Sequence, residues 1–595
     1  MKKPFQKLLF VIAIFALNTY NVNAQKEQVA SSKYSRNSVS VHFLNFSEGN
    51  NFLKSNFIET SKSIEIPQKF DDNSLEKRII SVNGSNTFVP SADSKSTGLS
   101  TKVEEFEKTD AYKTLIEALH TNRVPNKVLN KIIIGKDGAF NSDVIFKRAE
   151  YSATDAQVIS ANNSSNGLSE IQNTGFDLLN NVYFLVYVPT GLTIRKNKEN
   201  KETDENLYSA STYSFLFKLE LDKNTFWGDF YIKTPDQNKL DKLMNNQFSV
   251  KLISITRASG SSSDKEQKVT MQGLKVVKSY VERSEEEINN EMLSSIFSGS
   301  ILSHSKNYDG FKVKTPVFDV SPIQAKIGKK EDLRIDDLYQ VLENREKQSG
   351  EKFVKSIGYV RSKKVADNKK NADGNSETST FYKVYAGSVK KGMVMKEVPE
   401  TGIVVGVAYD IPNSVTSVAG GPIFQFDFIT HSSPGARMGL GIGGFREIES
   451  KSVMEDGRDA GFNFKGTSVY ADLTFQKIIQ LNMIEVTPYI GAYASSMDVT
   501  KIIAGKYELD VKDFLDDSKA KISSTNYGAL TGFKAGINLG KHFQLNIGYK
   551  LGFDIGSKTK VTFTDDSESE GEDLNYSAKF SNPSNLSFGI RLFGF

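Results

Sequence analysis

The chain has 595 residues, 75 of them basic and 71 acidic, 11% aromatic and none cysteine. So even a charge balance argues against nucleic acid as a partner, and the lack of cysteine excludes disulfides and thiolate metal sites. The length implies more than one domain.

Lys2, Lys3 and Lys7 precede the apolar run Leu8 to Leu17, and Val22-Asn23-Ala24 offers short residues for cleavage between Ala24 and Gln25. This is the pattern of a secretory signal peptide, residues 1–24. Roughly ten apolar residues fall short of the twenty or so a spanning helix needs. No cysteine follows the cleavage point, so a lipoprotein anchor is excluded. Without those three lysines the 75 basic residues become 72 against 71 acidic, and the mature chain is near neutral.

Residues 25–100 are rich in Ser, Asn and Lys and read as largely flexible, with a candidate strand at Ser38 to Phe46, where Val39, Val41 and Phe43 alternate. Folded structure is expected from Thr109, the cap of a helix carrying Tyr112, Leu115, Ile116 and Leu119 on one stripe. Residues 101–330 read as an α+β domain. Val182 to Val188 is continuously apolar, the mark of a strand buried on both faces, whereas Tyr213, Phe215, Phe217 and Leu219 alternate like a strand with one wet face. Phe248, Val250 and Leu252 alternate too, and Arg257 to Asp264, RASGSSSD, reads as a flexible loop. Ser284 and Glu287 form a capping box for a helix through Phe297, with Gly299 past its end.

Residues 331–400 read as a small SH3-like β module. Ile335, Leu338, Tyr339 and Leu342 are spaced like one face of a helix, and KFVKSIGYVRSKKV, FYKVYAG and KGMVMKEV follow as strands. The basic loop KKVADNKKNADGN is either a contact for an anionic periplasmic polymer or partner, or an ordinary hairpin loop.

From residue 401 onward the pattern becomes period two. Lys541 to Ile555 places Phe543, Leu545, Ile547, Tyr549, Leu551, Phe553 and Ile555 on one face, and polar or small residues on the other. Such alternation belongs to a strand between two solvents, and its length suits a membrane-spanning β-barrel. Seven more strands follow the same test: Gly402 to Ile411, Ile423 to Thr430, Ala436 to Ile448, Gly466 to Ile478, Met483 to Met497, Tyr527 to Leu539 and Asn585 to Phe595. Short joins (His431 to Gly435, Ile479 to Asn482, Gly540) alternate with long ones (Pro412 to Gly420, Glu449 to Lys465, Asp498 to Asn526, Gly556 to Ser584), as periplasmic turns alternate with outer loops.

Residues 401–595 thus resemble the small eight-stranded OmpA/OmpX-like outer-membrane barrels, over about a third of the chain. The resemblance implies an outer-membrane protein of a Gram-negative envelope, porin-like in architecture, with the N-terminal region in the periplasm. It also implies contact with outer-membrane lipid and lipopolysaccharide, and assembly by the barrel assembly machinery, read from the terminal aromatics Phe593 and Phe595.

An eight-stranded barrel is just filled by side chains. The inward face carries Asp427, Asp472 and Glu485 against Lys534, Lys550 and Arg591, expected to pair into a structural network, with a narrow ion path as the functional alternative. His431 and His542 fall at short turns and the outer loops hold no histidine, which removes acyl-transfer chemistry from that side. The six carboxylates Asp565, Asp566, Glu568, Glu570, Glu572 and Asp573 lack calcium-loop spacing and read as a solvated loop. His42, His120 and His304 are isolated and no metal, cofactor or nucleophile-elbow spacing occurs. The expected function is a non-catalytic envelope protein whose barrel anchors periplasmic domains and displays loops, with a periplasmic protein or peptidoglycan as candidate partner. A narrow channel or transport accessory is the alternative, and a tethered periplasmic hydrolase a third reading.

Overall fold

The computed structural model describes residues 37–48, 60–61, 64–85, 88, 101–134, 181–196, 205–222, 236–272, 275–348, 352–369, 377–412, 421–454, 458–514, 521–540, 543–562, 572–574, 576–579 and 585–592. Ala24, Gln25, Phe593 and Phe595 lie outside the described residues, as do the signal segment and most of the acidic last loop.

The N-terminal unit is a mixed sheet between two helical layers. In chain order it comprises β1 (Ser38–Glu48), β2 (Asp71–Asp72), β3 (Ile79–Ser85), α1 (Val103–Phe106), α2 (Asp110–Thr121), α3 (Val124–Ile133), β4 (Val182–Lys196), β5 (Asn206–Glu220), α4 (Gln237–Asn245), β6 (Ser249–Ser263), β7 (Lys265–Gln272), β8 (Lys275–Glu282) and α5 (Glu285–Asn307). The sheet order is β2-β1-β4-β5-β6, with β3 also on β1, and β1 runs parallel to β4. β7 and β8 pair only with each other among the described residues. One face packs Leu44, Phe184, Phe215 and Leu252 against Leu115, Leu129 and Leu243 of the first four helices. The other packs Val41, Leu185 and Leu216 against Ile288, Met292 and Ile296 of α5.

Four expectations change here. Residues 25–100 are not simply flexible: β1 is an interior strand, and its burial on both faces starts the fold well before Thr109. β5 has no wet face at its centre, because α5 covers Ser214 and Leu216 and a buried histidine satisfies the serine. Of the expected loop Arg257 to Asp264, all but Asp264 is strand: its small residues let α5 lie close, and a side chain at Gly260 would collide with the Met292 carbonyl. The α5 helix opens on the Ser284 and Glu287 capping box but passes through Gly299 to Asn307, since Ile301 and His304 are buried one turn beyond. Thr109 does cap α2, accepting from the Tyr112 amide.

The middle unit is a seven-stranded antiparallel sheet in the order β10-β11-β14-β13-β12-β15-β9, built from β9 (Lys314–Pro316), β10 (Asp319–Val320), β11 (Ile323–Ala325), β12 (Leu338–Glu346), β13 (Lys352–Lys364), β14 (Ser379–Ala386) and β15 (Val394–Val398). Consecutive β9 and β10 supply its two edges, so this module begins near Val313 and not at 331. The helix expected across Ile335 to Leu342 is instead β12. Tyr339 and Val341 point into the module core while Leu342 packs with Val394 on the other face, and a strand apolar on both faces mimics helical spacing.

The C-terminal third closes into a barrel of eight principal strands: β16 (Ile403–Pro412), β17 (Gly421–Ile429), β18 (Ala436–Met454), β19 (Asp459–Lys477), β21 (Ile484–Ala504), β23 (Lys521–Asn538), β24 (Phe543–Thr562) and β27 (Asn585–Leu592). Their order is β17-β16-β27-β24-β23-β21-β19-β18, and β17 pairing with β18 completes the ring. Short β20 (Ile479–Leu481), β22 (Tyr507–Asp510), α6 (Val511–Phe514), β25 (Glu572–Leu574) and β26 (Tyr576–Lys579) decorate it. All eight expected strands are present, but much of the expected outer loops 449–465 and 498–526 is also paired strand. Above the apolar belt the outward residues become polar, which hides these extensions from a lipid-face pattern. Their inward residues Phe464, Met497, Val499 and Ile522, with Ile502 and Val511 of α6, form a core of their own.

Candidate functional site: the filled lumen and its covered mouth

The barrel exterior is apolar where neighbouring strands place their outward residues together. Phe475, Ile490 and Phe533 are 62%, 64% and 49% exposed, and Phe424, Leu545 and Phe588 continue the surface. On β21 the outward apolar positions run from Ile484 to Ala494, which at about 3.4 Å per residue and a tilt of about 40° gives a height near 25 Å. That is the height of a hydrocarbon layer, and exposed phenylalanines over such an area have no other stable solvent. No helix among the described residues is long and apolar enough to cross a membrane.

Inside, the odd and even positions reverse character. The Arg591 guanidinium lies 2.8 Å from Asp427 Oδ2 and 3.0 Å from Glu485 Oε1, and donates to Gln476 Oε1 at 3.3 Å. Gln476 Nε2 in turn donates to Asp427 at 2.6 Å, and Thr487 donates to Glu485 at 2.9 Å. Gly439 and Gly441 make room for this layer: a β-carbon at Gly439 would strike Gln476, and one at Gly441 would strike Asp472. One step outward, Lys550 Nζ lies 2.9 Å from Asp410 and 3.9 Å from Asp472, and 4.1 Å above the Tyr470 ring. Lys534 makes no ion pair among the described residues; it donates to Gln425 at 3.3 Å and sits over Tyr489.

Five of the six charged residues expected in the lumen are therefore in ion pairs with one another or with Asp410, and Lys534 stands beside them. Asp410 was missed, although its even position opposite Val405, Val407 and Tyr409 marks it as inward. Tyr470 and Tyr489 lie among these charges and form a cluster with Tyr493, Leu530 and Ile423, beyond which comes the outer core around Met497. Among the described residues side chains fill the lumen through these layers, and a cavity beside Lys550 and Asp472 has room for about one water.

The short-turn end carries a feature that the sequence did not suggest. Asp336, fully buried in the turn before β12, accepts from Arg437 Nη1 of β18 at 2.6 Å, from the Gly435 amide at 2.7 Å and from Tyr382 of the module at 2.6 Å. Arg361 of β13 donates to the Asp336 carbonyl and pairs with Glu400 at 2.9 Å. Each short turn meets the module: His431 donates to the Ile335 carbonyl, Gln480 donates to the Val384 carbonyl and Asn482 accepts from the Ala386 amide, and Asn538 donates to Val384. The module thus covers the barrel mouth. Its other side is tied to the N-terminal unit by Glu397, which accepts from Lys69 at 3.4 Å, and by Lys396, which pairs with Asp309 at 2.9 Å. Burial opposes the Asp309 charge, yet the hydrogen bonds from Lys312 and Lys396 hold its carboxyl at about 2.

Two histidines in the N-terminal unit touch serines: His304 lies 2.9 Å from Ser214 and His42 lies 2.8 Å from Ser40. Both pairs are fully buried, and burial lowers each imidazole to about 3, aided at His42 by the positive Arg78 and Lys127. No group of three or more histidine or carboxylate side chains placed to hold a metal occurs among the described residues.

No family model matches the sequence, and no curated protein does. Among solved structures, a major outer membrane protein from Thermus thermophilus is similar over 32% of this chain and 98% of its own, at 16% identity and a TM-score of 0.24. The N-terminal β-barrel domain of Pseudomonas aeruginosa OprF aligns over 32% of this chain and 96% of its own, at 7% identity and a TM-score of 0.18. The attachment invasion locus protein Ail of Yersinia pestis covers the same shares at 10% identity and a TM-score of 0.18. By its own strand order, closure and apolar exterior, the C-terminal third of this chain is an eight-stranded antiparallel barrel of the outer-membrane type.

Proposed function

We propose that this is a non-catalytic outer-membrane protein whose barrel anchors a large periplasmic body and displays four loops outside the cell. The observation that carries the reading is the contact of all three short turns with the module, through His431, Gln480 with Asn482, and Asn538. Short turns face the periplasm in such barrels, so the module, SH3-like in its short strands, and the N-terminal unit hang beneath the membrane. The partners of this arrangement are outer-membrane lipid and lipopolysaccharide around the belt, the barrel assembly machinery during insertion, and a periplasmic protein or peptidoglycan below.

The test is proteolysis of intact beside lysed cells, with antibodies to the N-terminal unit and to a tag placed between β24 and β27. Cleavage at the tag in intact cells, with the N-terminal unit surviving until lysis, supports the reading. Cleavage of the N-terminal unit in intact cells overturns the orientation. The line of charges Asp427, Arg591, Glu485, Lys550 and Asp410 favours a second reading, a narrow channel or transport accessory, which predicts single-channel steps from the purified chain in planar bilayers.

A further inference from the structure

The three units keep separate cores. Every buried apolar cluster among the described residues belongs to one unit, and none joins module to barrel. The directed contacts between these two are polar, one carboxylate shared by Tyr382, Gly435 and Arg437 with hydrogen bonds from three turns, while Leu338 and Val384 of the module and Val404 and Ile478 of the barrel line the space between them. A joint of this kind parts at a smaller apolar cost than a shared core would impose, because its hydrogen-bonding groups regain water and only a few apolar side chains are uncovered.

The backbone on both sides of the joint is unusual in the same way. Asp336, His431 and Asn482 have φ of 69°, 53° and 56°, the left-handed region that residues with side chains seldom adopt. Conformations of this sort persist where surrounding contacts impose them, and they gather at switch regions. Between the two surfaces lies a small cavity bounded by Arg361, Tyr382, Val404, Arg437, Glu485 and Asn538, with room for about one water. Glu485 is also the partner of Arg591, so the joint opens directly onto the first charged layer of the lumen.

We propose that the module is a reversible stopper of the barrel's short-turn mouth. It is seated by the Asp336 carboxylate against Arg437 and Gly435, and it lifts away as a body, exposing the Glu485 and Arg591 layer to water from that side. The proposal rests on the barrel being the membrane anchor, since only then does the mouth divide the lumen from the periplasm.

The chain has no cysteine, so a single thiol reports on the mouth without interference. Val404 lines the joint cavity, is buried and is close in size to cysteine. The experiment measures labelling of full-length Val404→Cys in detergent by a bulky polar maleimide, alone and combined with Asp336→Asn. The stopper predicts slow, complete labelling of the parent and acceleration by about tenfold or more with Asp336→Asn. Asn482→Gly keeps a residue suited to the left-handed turn, deletes the acceptor for the Ala386 amide, and accelerates labelling less; it serves if Asp336→Asn does not fold. Retained barrel structure is read from heat-modifiable gel migration. Labelling only after unfolding, in the parent and in the variants, overturns the proposal, as does a parent rate equal to that of an exposed thiol. The protease result above can stand while the labelling fails, and the reverse, so the two readings fail separately.

Discussion

Replacing Arg591 by methionine removes the cation that Asp427 and Glu485 share while keeping most of the side chain's bulk. Asp427 and Glu485 are each about as buried as Arg591 itself, at 2.8 and 3.0 Å from its nitrogens. Breaking a buried pair by removing one partner costs about 3–5 kcal/mol, mainly as the penalty for the charge left behind. Two carboxylates are left here, but Asp427 keeps its 2.6 Å bond from Gln476 and Glu485 its 2.9 Å bond from Thr487, so the loss stays near that range and does not double. Arg591→Met combined with Asp427→Asn and Glu485→Gln has no orphaned charge and recovers all but about 1 kcal/mol. Urea unfolding of the full chain in lipid vesicles, read by gel migration, measures both. A single variant within about 1 kcal/mol of the parent, or a triple variant no better than the single, refutes the view that the lumen is held by this network.

The remaining predictions concern the packing of the other units. His42 and His304 are neutral in the fold with values of about 3, so their contribution is present above pH 6.5 and is lost as pH falls from 6.5 towards 3. At pH 5 each costs about 2 kcal/mol, and His304→Gln should remove about half the drop in urea midpoint between pH 7.5 and 5; an unchanged drop refutes it. Gly260→Ala forces β6 from the Met292 carbonyl and should lower stability by about 1–3 kcal/mol in thermal unfolding of the N-terminal unit within the whole chain. Met497→Ala empties part of the outer core and should cost about 2–5 kcal/mol in the barrel transition, with no effect on the N-terminal unit.

How much of this was legible in the sequence depends on how local the cause is. The eight barrel strands were readable because lipid and a polar lumen impose opposite chemistry on successive residues, and the inward charges followed from the same alternation. The extensions of β18, β19, β21 and β23 were not, since above the belt both solvents are water and a few scattered residues such as Phe464, Val499, Ile502 and Ile522 record the inside. In the N-terminal unit, β1 pairs in parallel with β4 across more than a hundred residues, and no local pattern announces a partner so distant. Two of its helices, α2 and α5, were visible through their caps at Thr109 and Ser284, which act within four residues, whereas α1, α3 and α4 were not read. β12 was misread because its two faces serve two clusters, and a strand covered on both sides loses the alternation that distinguishes it.

The joint at Asp336 explains why function was harder to read than fold. Nothing in Ile335-Asp336-Asp337-Leu338 sets one aspartate above the other, and the structure separates them by surroundings alone. Asp336 is saturated by three donors, two of them from a turn that begins β18 about a hundred residues later. Its neighbour Asp337 is raised to about 6, chiefly because burial disfavours its charge, with Arg334 pulling the other way. A barrel with a filled lumen can tolerate such a polar seat at its mouth, because the apolar belt and the outer core already hold the strands. Stability therefore resides in the barrel wall and in the separate cores, while the contacts between units are left to charges and turn amides. The proposed lifting of the module rests on this division, since it would break those contacts and leave each core whole.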